Sequence, residues 1–451
     1  MKIRKKLRST KINPLQVIAC GFAIVILLGS VLLSLPCAAQ DGKSIGFMDG
    51  LFTSTSAVCV TGLVVRDTGT TFSLFGQIVL LCLIQVGGLG FLTFATMILR
   101  MIGRQASLRE RMLIRESMNE DGTAGMDKLI RWVAVCAFSV EFAGAVLLCF
   151  RFIPMYGVGK GIYYSVFHAV SAFCNAGFDL FGNYSSLTGF RGDVLVNFTA
   201  MLMIVVGGLG FGVLRDLRRR MKGGYLRLQT RLVLSVYFSL TLIGFVFTLV
   251  FEWNNPGTIG SLPFGEKLLA ALFHSVTLRT AGFNTVDLAA LRPASKLLNS
   301  LLMLIGAAPA STGGGVKVTT IAVILLSIRM TLRGDHAVSV YKRSVSGELI
   351  RRAIAVASIA VCIWLVDVIA ISAMQPELPL ADVLFECASA VGTVGVSAFG
   401  SASLNAVSRV LIIITMYIGR IGPMTAALML ARKQDGKKAR INYPEGNIMI
   451  G

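Results

Sequence analysis

The chain is short of acidic side chains, with 23 Asp and Glu against 43 Lys and Arg in 451 residues, and shorter still of the strings that build active sites. It has no Gly-x-x-x-x-Gly-Lys-Ser/Thr phosphate loop, no His-Glu-x-x-His zinc pair and no Gly-x-Ser-x-Gly elbow. Its 9 cysteines include no Cys-x-x-Cys, and Cys20, Cys82, Cys149 and Cys362 lie inside apolar runs, which excludes a disulfide framework and a zinc site. An enzyme would lack both a nucleophile-base pair and a metal cluster. His168 and His274 recur in Phe-His-x-Val-Ser/Thr strings without carboxylates at ligand spacing, so they read as hydrogen-bonded helix residues.

What the chain has is apolar surface. Hydrophobic residues make up 55% of it and the mean hydropathy is +0.74, well outside the soluble range, so it reads as an all-α polytopic membrane protein. The formal charge of +20 raises nucleic acid as a partner, but 31 of the 43 Lys and Arg fall in residues 1–14, 100–131, 215–231, 329–352 and 432–440. By the positive-inside rule these segments place both termini and three connectors in the cytoplasm, and the basic balance belongs to topology. Residues 15–35 after a basic start mimic a signal peptide. At about twenty residues the run exceeds the usual apolar core of about seven to fifteen, and it reads as a first span that is kept.

Residues 53–64, Thr-Ser-Thr-Ser-Ala-Val-Cys-Val-Thr-Gly-Leu-Val, are too polar and too short for a span yet lie between two long apolar runs. They read as a re-entrant segment: a half-helix over residues 48–59 and an extended exit at Val60, Thr61 and Gly62. Irregular backbone at membrane depth survives only where protein buries it or water lines it, and aligned carbonyls point to a cation path. The pattern recurs at Ser171 to Phe178, at Leu278 to Phe283 and at Ser389 to Val396. Gly62, Gly177, Gly282 and Gly395 stand in register, about 110 residues apart.

Each repeat therefore reads as span, re-entrant half-helix, span: repeats at 15–99, 129–214, 232–328 and 350–430, connectors at 100–128, 215–231 and 329–349, and tails at 1–14 and 431–451. Connector 100–128 reads as a solvated basic helix. All copies start on one side, so the repeats are parallel about the membrane normal; a carrier of an organic solute with inverted repeats is the rival architecture. The second spans echo one another in Val86-Gly87-Gly88-Leu89-Gly90-Phe91 and Val206-Gly207-Gly208-Leu209-Gly210-Phe211, a spacing that close helix packing alone would explain. In repeat three the matching place holds Gly306, Pro309, Ser311, Thr312, Gly313, Gly314 and Gly315, which can hardly stay helical; it reads as a flexible loop at membrane depth, a gate beneath the exit strands.

Charges within the spans invite two readings each. Arg420 is either a fixed positive charge below the exit strands or an arginine pinned to helix carbonyls, to Glu141 or to Asp367. Lys317 either joins that constriction or simply starts a helix. Arg279, inside the third copy, would repel a cation from the path; it is expected to point behind it and brace it through backbone carbonyls or Glu386.

Val-Cys-Val-Thr-Gly-Leu, Phe-His-Ala-Val-Ser-Ala-Phe-Cys-Asn-Ala-Gly-Phe-Asp, Val-Thr-Leu-Arg-Thr-Ala-Gly-Phe and Ala-Pro-Ala-Ser-Thr-Gly-Gly-Gly together resemble the Trk, Ktr and HKT superfamily of potassium transporters, most closely the Ktr membrane subunit. The resemblance implies four membrane-pore-membrane units in pseudo-fourfold, potassium-channel-like arrangement, and a homodimer in a bacterial plasma membrane. It also implies a cytoplasmic ring of nucleotide-binding regulatory subunits of the KtrA or KtrC type, with no nucleotide bound by this chain. By motif, K⁺ would be held by the carbonyls of Val60, Thr61, Asn175, Ala176, Thr280, Ala281, Thr393 and Val394, with Gly62, Gly177, Gly282 and Gly395 shaping the filter. Residues 306–315 and Arg420 would gate it. One glycine per copy predicts weaker rejection of Na⁺ than in a Thr-Val-Gly-Tyr-Gly filter, while Gly62, a serine in sodium-preferring HKT members, favours K⁺. Na⁺ would be either cotransported or regulatory. The third copy is one residue shorter between its Phe-His string and its glycine, which leaves its register open.

Overall fold

The structure is a computed structural model that describes residues 14–90, 93, 94, 96, 97, 126–334, 339–341 and 343–430. The basic helix expected over 100–128 falls almost wholly outside the described residues, as do both tails. Repeat one comprises α1 (Pro14–Leu33), α2 (Phe47–Cys59) and α3 (Leu74–Leu89); repeat two comprises α4 (Met126–Tyr156), α5 (Val158–Phe173), α6 (Val194–Leu209) and α7 (Phe211–Met221). Repeat three comprises α8 (Leu228–Glu252), α9 (Phe264–Thr277), α10 (Pro293–Leu304) and α11 (Val318–Arg333). A two-stranded hairpin, β1 (Ser339–Val340) with β2 (Arg343–Ser344), precedes repeat four: α12 (Gly347–Met374), α13 (Leu380–Gly392), α14 (Ala406–Ile421) and α15 (Pro423–Leu430).

The first helix of each repeat, α1, α4, α8 and α12, is long and apolar enough to cross a membrane. These helices keep Leu28, Phe142, Leu242 and Val366 exposed, as a lipid-facing surface does. The second helices, α2, α5, α9 and α13, have 13 to 16 residues, roughly 20–24 Å, and stop short of a hydrocarbon core of about 30 Å. Many of their buried hydroxyls find carbonyls. Thr53 and Thr55 donate back to Asp49 and Leu51 at 2.8 and 2.7 Å, and Ser54 Oγ donates across to Ile26 O of α1 at 2.7 Å.

Cyclic packing joins the repeats. Each half-helix packs on its own first span, and also on the helix that follows the half-helix of the preceding repeat: α3 on α5, α6 on α9, α10 on α13, and α14 back onto α2. Polar ties repeat the same closure. Asp67 accepts from the Tyr184 N–H at 2.6 Å, Leu187 N–H donates to Asn284 O at 3.0 Å, Lys296 pairs with Asp382 at 2.6 Å, and Arg409 pairs with Asp49 at 2.8 Å. The protein is a multi-pass, all-helical membrane fold whose four units close into a ring.

One expectation is corrected. Sequence reading breaks only the second span of repeat three, whereas three more breaks occur, at Gly90, Gly210 and Gly422, with φ of 81°, 82° and 92°. After Gly210 the chain turns by 99° into α7. The left-handed backbone at these glycines ends the helix where Phe or Pro follows.

Lys296 and Asp382 expose only 9% and 13% of their side chains. Lys296→Met strands a carboxylate at the junction of repeats three and four and is expected to cost about 3 kcal/mol. Thermal unfolding in detergent should show a lowered midpoint, with Lys296→Met/Asp382→Leu regaining most of the loss.

Candidate ion-conduction site

Four short segments, one after each half-helix, share an unusual backbone. Val60, Asn175, Thr280 and Thr393 all have positive φ, between 50° and 69°, and the glycine two residues on is positive again: Gly62, Gly177, Gly282 and Gly395 at 95°, 69°, 84° and 96°. Alternating handedness turns successive carbonyls towards one side, where a uniform helix or strand could not. The exit is thus not the extended strand expected at Val60, but a left-handed step.

A hydroxyl at the end of each half-helix holds this backbone. Gly62 and Gly395 N–H groups donate to Ser56 and Ser389 Oγ at 3.0 Å, whereas Ser171 and Thr277 hydroxyls donate to Phe178 and Phe283 carbonyls at 2.7 and 2.6 Å. The short third copy keeps register in a simple way. Thr61, Ala176 and Val394 N–H groups reach back five residues to Ser56, Ser171 and Ser389, but Ala281 N–H reaches back four, to Thr277 O at 2.9 Å. The missing residue is absorbed at the helix end.

The four glycines meet around one opening. A methyl group added to Gly62 would come within 2.6 Å of Ala176 O, one on Gly177 within 2.8 Å of Ala281 O, and one on Gly282 within 2.9 Å of Val394 O; on Gly395 it would collide with Thr61 O. The carbonyls of Thr61, Ala176, Ala281 and Val394 thus each abut the glycine of the neighbouring copy, which closes a ring. On the side away from residues 305–317 the glycines form the floor of a cavity of about 470 Å³ that also meets Asp179 and Asp287.

Residues 305–317 lie directly under the ring. Thr312 Oγ1 donates to Phe173 O at 3.2 Å and Gly314 N–H to Thr393 Oγ1 at 3.1 Å, and a methyl on Gly313 would strike Thr280 Oγ1. The ends of the loop are clasped, since Gly306 N–H donates to Val316 O at 2.8 Å. Lys317 Nζ donates to Gly313 and Gly314 carbonyls at 2.7 and 3.2 Å, while Ser311 Oγ donates to Ala308 O and Pro309 faces Gly210. Arg420 donates through Nη1 to Thr312 O and through Nη2 to Gly87 O. Glu141 accepts from Gln85 instead, and Asp367 from Thr415.

Arg279 is fully buried and donates to Leu302 O at 2.8 Å and Ile305 O at 3.0 Å, at the end of α10 where the loop begins. Glu386 does not share it; its carboxylate accepts from Ser401 Oγ at 2.5 Å. His168 lies 2.7 Å from Tyr164 O and stacks on Phe181, and His274 lies 2.8 Å from the Asn299 amide. Sequence reasoning gave no role to the backing hydroxyls, although Ser56, Ser171 and Ser389 share one offset from their glycines. It also passed over the Asn175 amide and the Thr280 hydroxyl, 3.2 Å apart below the ring.

Comparison with known proteins agrees with this geometry. Residues 13–439 match the family model described as TrkH, cation transport protein. The chain belongs to that family. Among relatives of this TrkH-family chain, Ktr system potassium uptake protein B of Bacillus subtilis (strain 168) is 38% identical over 99% of both chains. The protein of that name from Vibrio alginolyticus is 39% identical, over 97% of this chain and 94% of that one. Potassium/sodium uptake protein NtpJ of Enterococcus hirae is 36% identical over the full length of both. The crystal structure of the potassium transporter TrkH from Vibrio parahaemolyticus superposes with a TM-score of 0.68, covering 94% of this chain and 86% of that one, at 18% identity. That likeness concerns the fold alone.

Asp179 lines the cavity over the ring of this TrkH-family chain. Burial raises the Asp179 carboxyl to about 7, against the pull of the Phe181 N–H and with a further push from Asp67. Above that pH it is charged and attracts a cation; below it the charge is lost. Lowering the pH on the side of this cavity from about 8 to about 6 should weaken the apparent affinity for the transported cation severalfold. In initial-rate uptake assays Asp179→Asn should flatten that dependence.

Proposed function

We propose that this chain is the ion-translocating subunit of a potassium uptake system in the bacterial plasma membrane, with both termini in the cytoplasm. The observation that carries the reading is the closed ring of four glycines, each abutted by a carbonyl from the next copy. Oxygens held this way replace part of the hydration shell of a cation, and the carbonyls of Val60, Asn175, Thr280 and Thr393 continue the path inward. The names of the relatives, potassium uptake proteins, support K⁺ as the ion. The potassium/sodium uptake relative, with a filter of only one glycine per copy, supports a role for Na⁺ as a cotransported, regulatory or weakly rejected ion. The Ktr system relatives support a multi-component assembly: a homodimer of this subunit on a cytoplasmic nucleotide-binding ring.

Residues 306–315 act as the gate in this reading, closed by Lys317 within the loop and by Arg420 from repeat four, with Arg279 holding its base and Glu386 steadying the segment beyond the fourth filter copy. A cation leaving the ring meets loop backbone and a guanidinium. Flux requires that both move aside.

Purified protein in liposomes should take up Rb⁺ down a gradient, competed by K⁺ more strongly than by Na⁺. Gly62→Ser places a side chain at φ 95° and within 2.6 Å of Ala176 O, so it should lose most of the preference for K⁺, read as at least a tenfold change in the K⁺ to Na⁺ competition ratio. Identical competition by the variant, or no Rb⁺ uptake by the parent, would sink the reading. Shortening residues 310–314 should raise flux in the absence of a regulatory partner; unchanged or lower flux would remove the gate from the loop.

A further inference from the structure

A cavity of about 580 Å³ lies away from the ion path, between the connector of repeats two and three and the hairpin before repeat four. Arg219, Arg227 and Arg343 line it together with Tyr225, Leu226 and Leu228. Its setting is unlike that of an ordinary solvated basic loop. Because α7 leaves α6 at 99°, it runs across the end of the bundle and not through it, with Phe211 and Val213 buried and Arg218, Arg219 and Arg220 in its last turn. A short helix of that orientation and polarity lies in the plane of a membrane surface. The span α8 starts at Leu228, so Arg227 stands where hydrocarbon gives way to headgroups.

Two further observations concern what fills the cavity. Tyr225 and Met221 are 83% and 81% exposed beside the arginines, an aromatic and an apolar side chain at the rim of a span, as in the interfacial belt of membrane proteins. The charge is also only partly balanced. Arg227 lies 3.6 Å from the Asp216 carboxylate, which also accepts from Thr230 at 2.7 Å, but Arg219 and Arg343 meet no carboxylate among the described residues. The hairpin that carries Arg343 is pinned over the cavity by Arg231, whose guanidinium sits 5.5 Å from the Tyr341 ring centre.

We propose that this cavity seats the phosphate headgroup of an anionic phospholipid of the inner leaflet, bound by Arg219 and Arg343, with Tyr225, Leu226 and Leu228 against its glycerol and first acyl carbons. Guanidinium pairs suit phosphate because their N–H groups bond two oxygens at once. An acidic protein surface would use the same arginines, but the position of Tyr225 and Met221 at the start of the span α8 favours lipid. The far end of α7 is already tied to the ion path, since Phe211 N–H donates to Ala310 O of the central loop at 3.1 Å. A lipid that fixes one end of this helix therefore steadies the loop at the other.

The assignment to the inner leaflet rests on the topology proposed above; the test below reads lipid retention and stands or falls apart from any transport assay. Full-length protein in detergent is incubated with equal amounts of phosphatidylglycerol and phosphatidylcholine of matched chains and examined by native mass spectrometry. The parent should retain phosphatidylglycerol about tenfold over phosphatidylcholine. Arg219→Gln/Arg343→Gln should abolish the preference, Arg219→Lys/Arg343→Lys should keep most of it, and Arg351→Gln on the same side should leave it intact. If the glutamine pair fails to fold, Arg343→Gln alone should still lose part of the preference. Equal retention of both lipids by the parent, or an unchanged preference in the glutamine pair, overturns the proposal. Complete displacement of the lipid by excess inorganic phosphate would mark a soluble-anion site and overturn it too. Loss of regulatory-subunit capture by the glutamine pair with lipid preference intact would mark a protein-docking surface instead.

Discussion

A carbonyl that loses its helical partner at membrane depth must find another donor inside the protein, because water is not there to supply one. Four second spans break under the ring, and each break leaves helix-end carbonyls short of their usual donors. The structure answers each break differently. Arg420 serves Gly87 of α3; Thr312 and Ala308 N–H groups serve Gly207 and Gly208 of α6; Arg279 serves Leu302 of α10; Gly315 N–H serves Gly419 of α14. The loop at residues 305–317 and two buried arginines are therefore the common solution to one problem. In the proposed gating role, moving the loop would strand several of these carbonyls at once, so the movement requires water to reach them. Hydration of the path and opening of the path become one event.

The ring above obeys a related constraint. Non-glycine residues in left-handed conformation cost of order 1–3 kcal/mol each, and Val60, Asn175, Thr280 and Thr393 all adopt it. Such a backbone persists only where the surroundings over-determine it. The hydroxyls of Ser56, Ser171, Thr277 and Ser389 do so by clamping the residues that follow, and the glycines permit the contact between copies that a methyl group would prevent. Copies one and four are clamped through the glycine N–H, copies two and three through the carbonyl of the next residue. The ring is accordingly fourfold in position but not in its supporting bonds.

Much of this is legible in the sequence, for physical reasons that differ by element. The half-helices show because polar residues such as Thr53, Ser54 and Ser56 interrupt apolar runs at a length that cannot span, and the four glycines show because their spacing repeats. The breaks at Gly90 and Gly210 did not show, since Gly-Gly-Leu-Gly fits close packing equally well, and the break at Gly422 was passed over although Pro423 follows it. Both readings hold there: methyl groups on Gly87 and Gly207 would also collide with Val58 O and Phe173 O, at the ends of the half-helices. Partners of buried charges are the least legible. For Arg279 and Arg420 the sequence left backbone carbonyls and the carboxylates of Glu386, Glu141 and Asp367 as alternatives, and in both cases backbone oxygens beside a break, several hundred residues away or in a neighbouring helix, are the acceptors. Composition cannot reveal an acceptor that exists only because a helix ends.

Arg420 shows why the four repeats had to become unequal. In the aligned strings it occupies the place of Gly88 and Gly208, next to a break, so a side chain there reaches inward under the ring. From repeat four it bonds Thr312 of the repeat-three loop and Gly87 of repeat one, which joins three of the four units beneath the filter. A symmetric ring of four arginines would place like charges together and close the path to cations altogether. A symmetric ring of four glycines would leave Gly87 O of α3 with the Gly90 N–H alone and would leave Thr312 untied to α3. One arginine meets both demands, and its planar guanidinium, with several donors in a fixed fork, can hold two separate backbones where a lysine ammonium would act as a single point charge. In the proposed gating role, the barrier to cations and the clamp on the loop are then the same group. Neither can be relaxed without the other, which is the economy that a single asymmetric substitution confers on an otherwise repeated design.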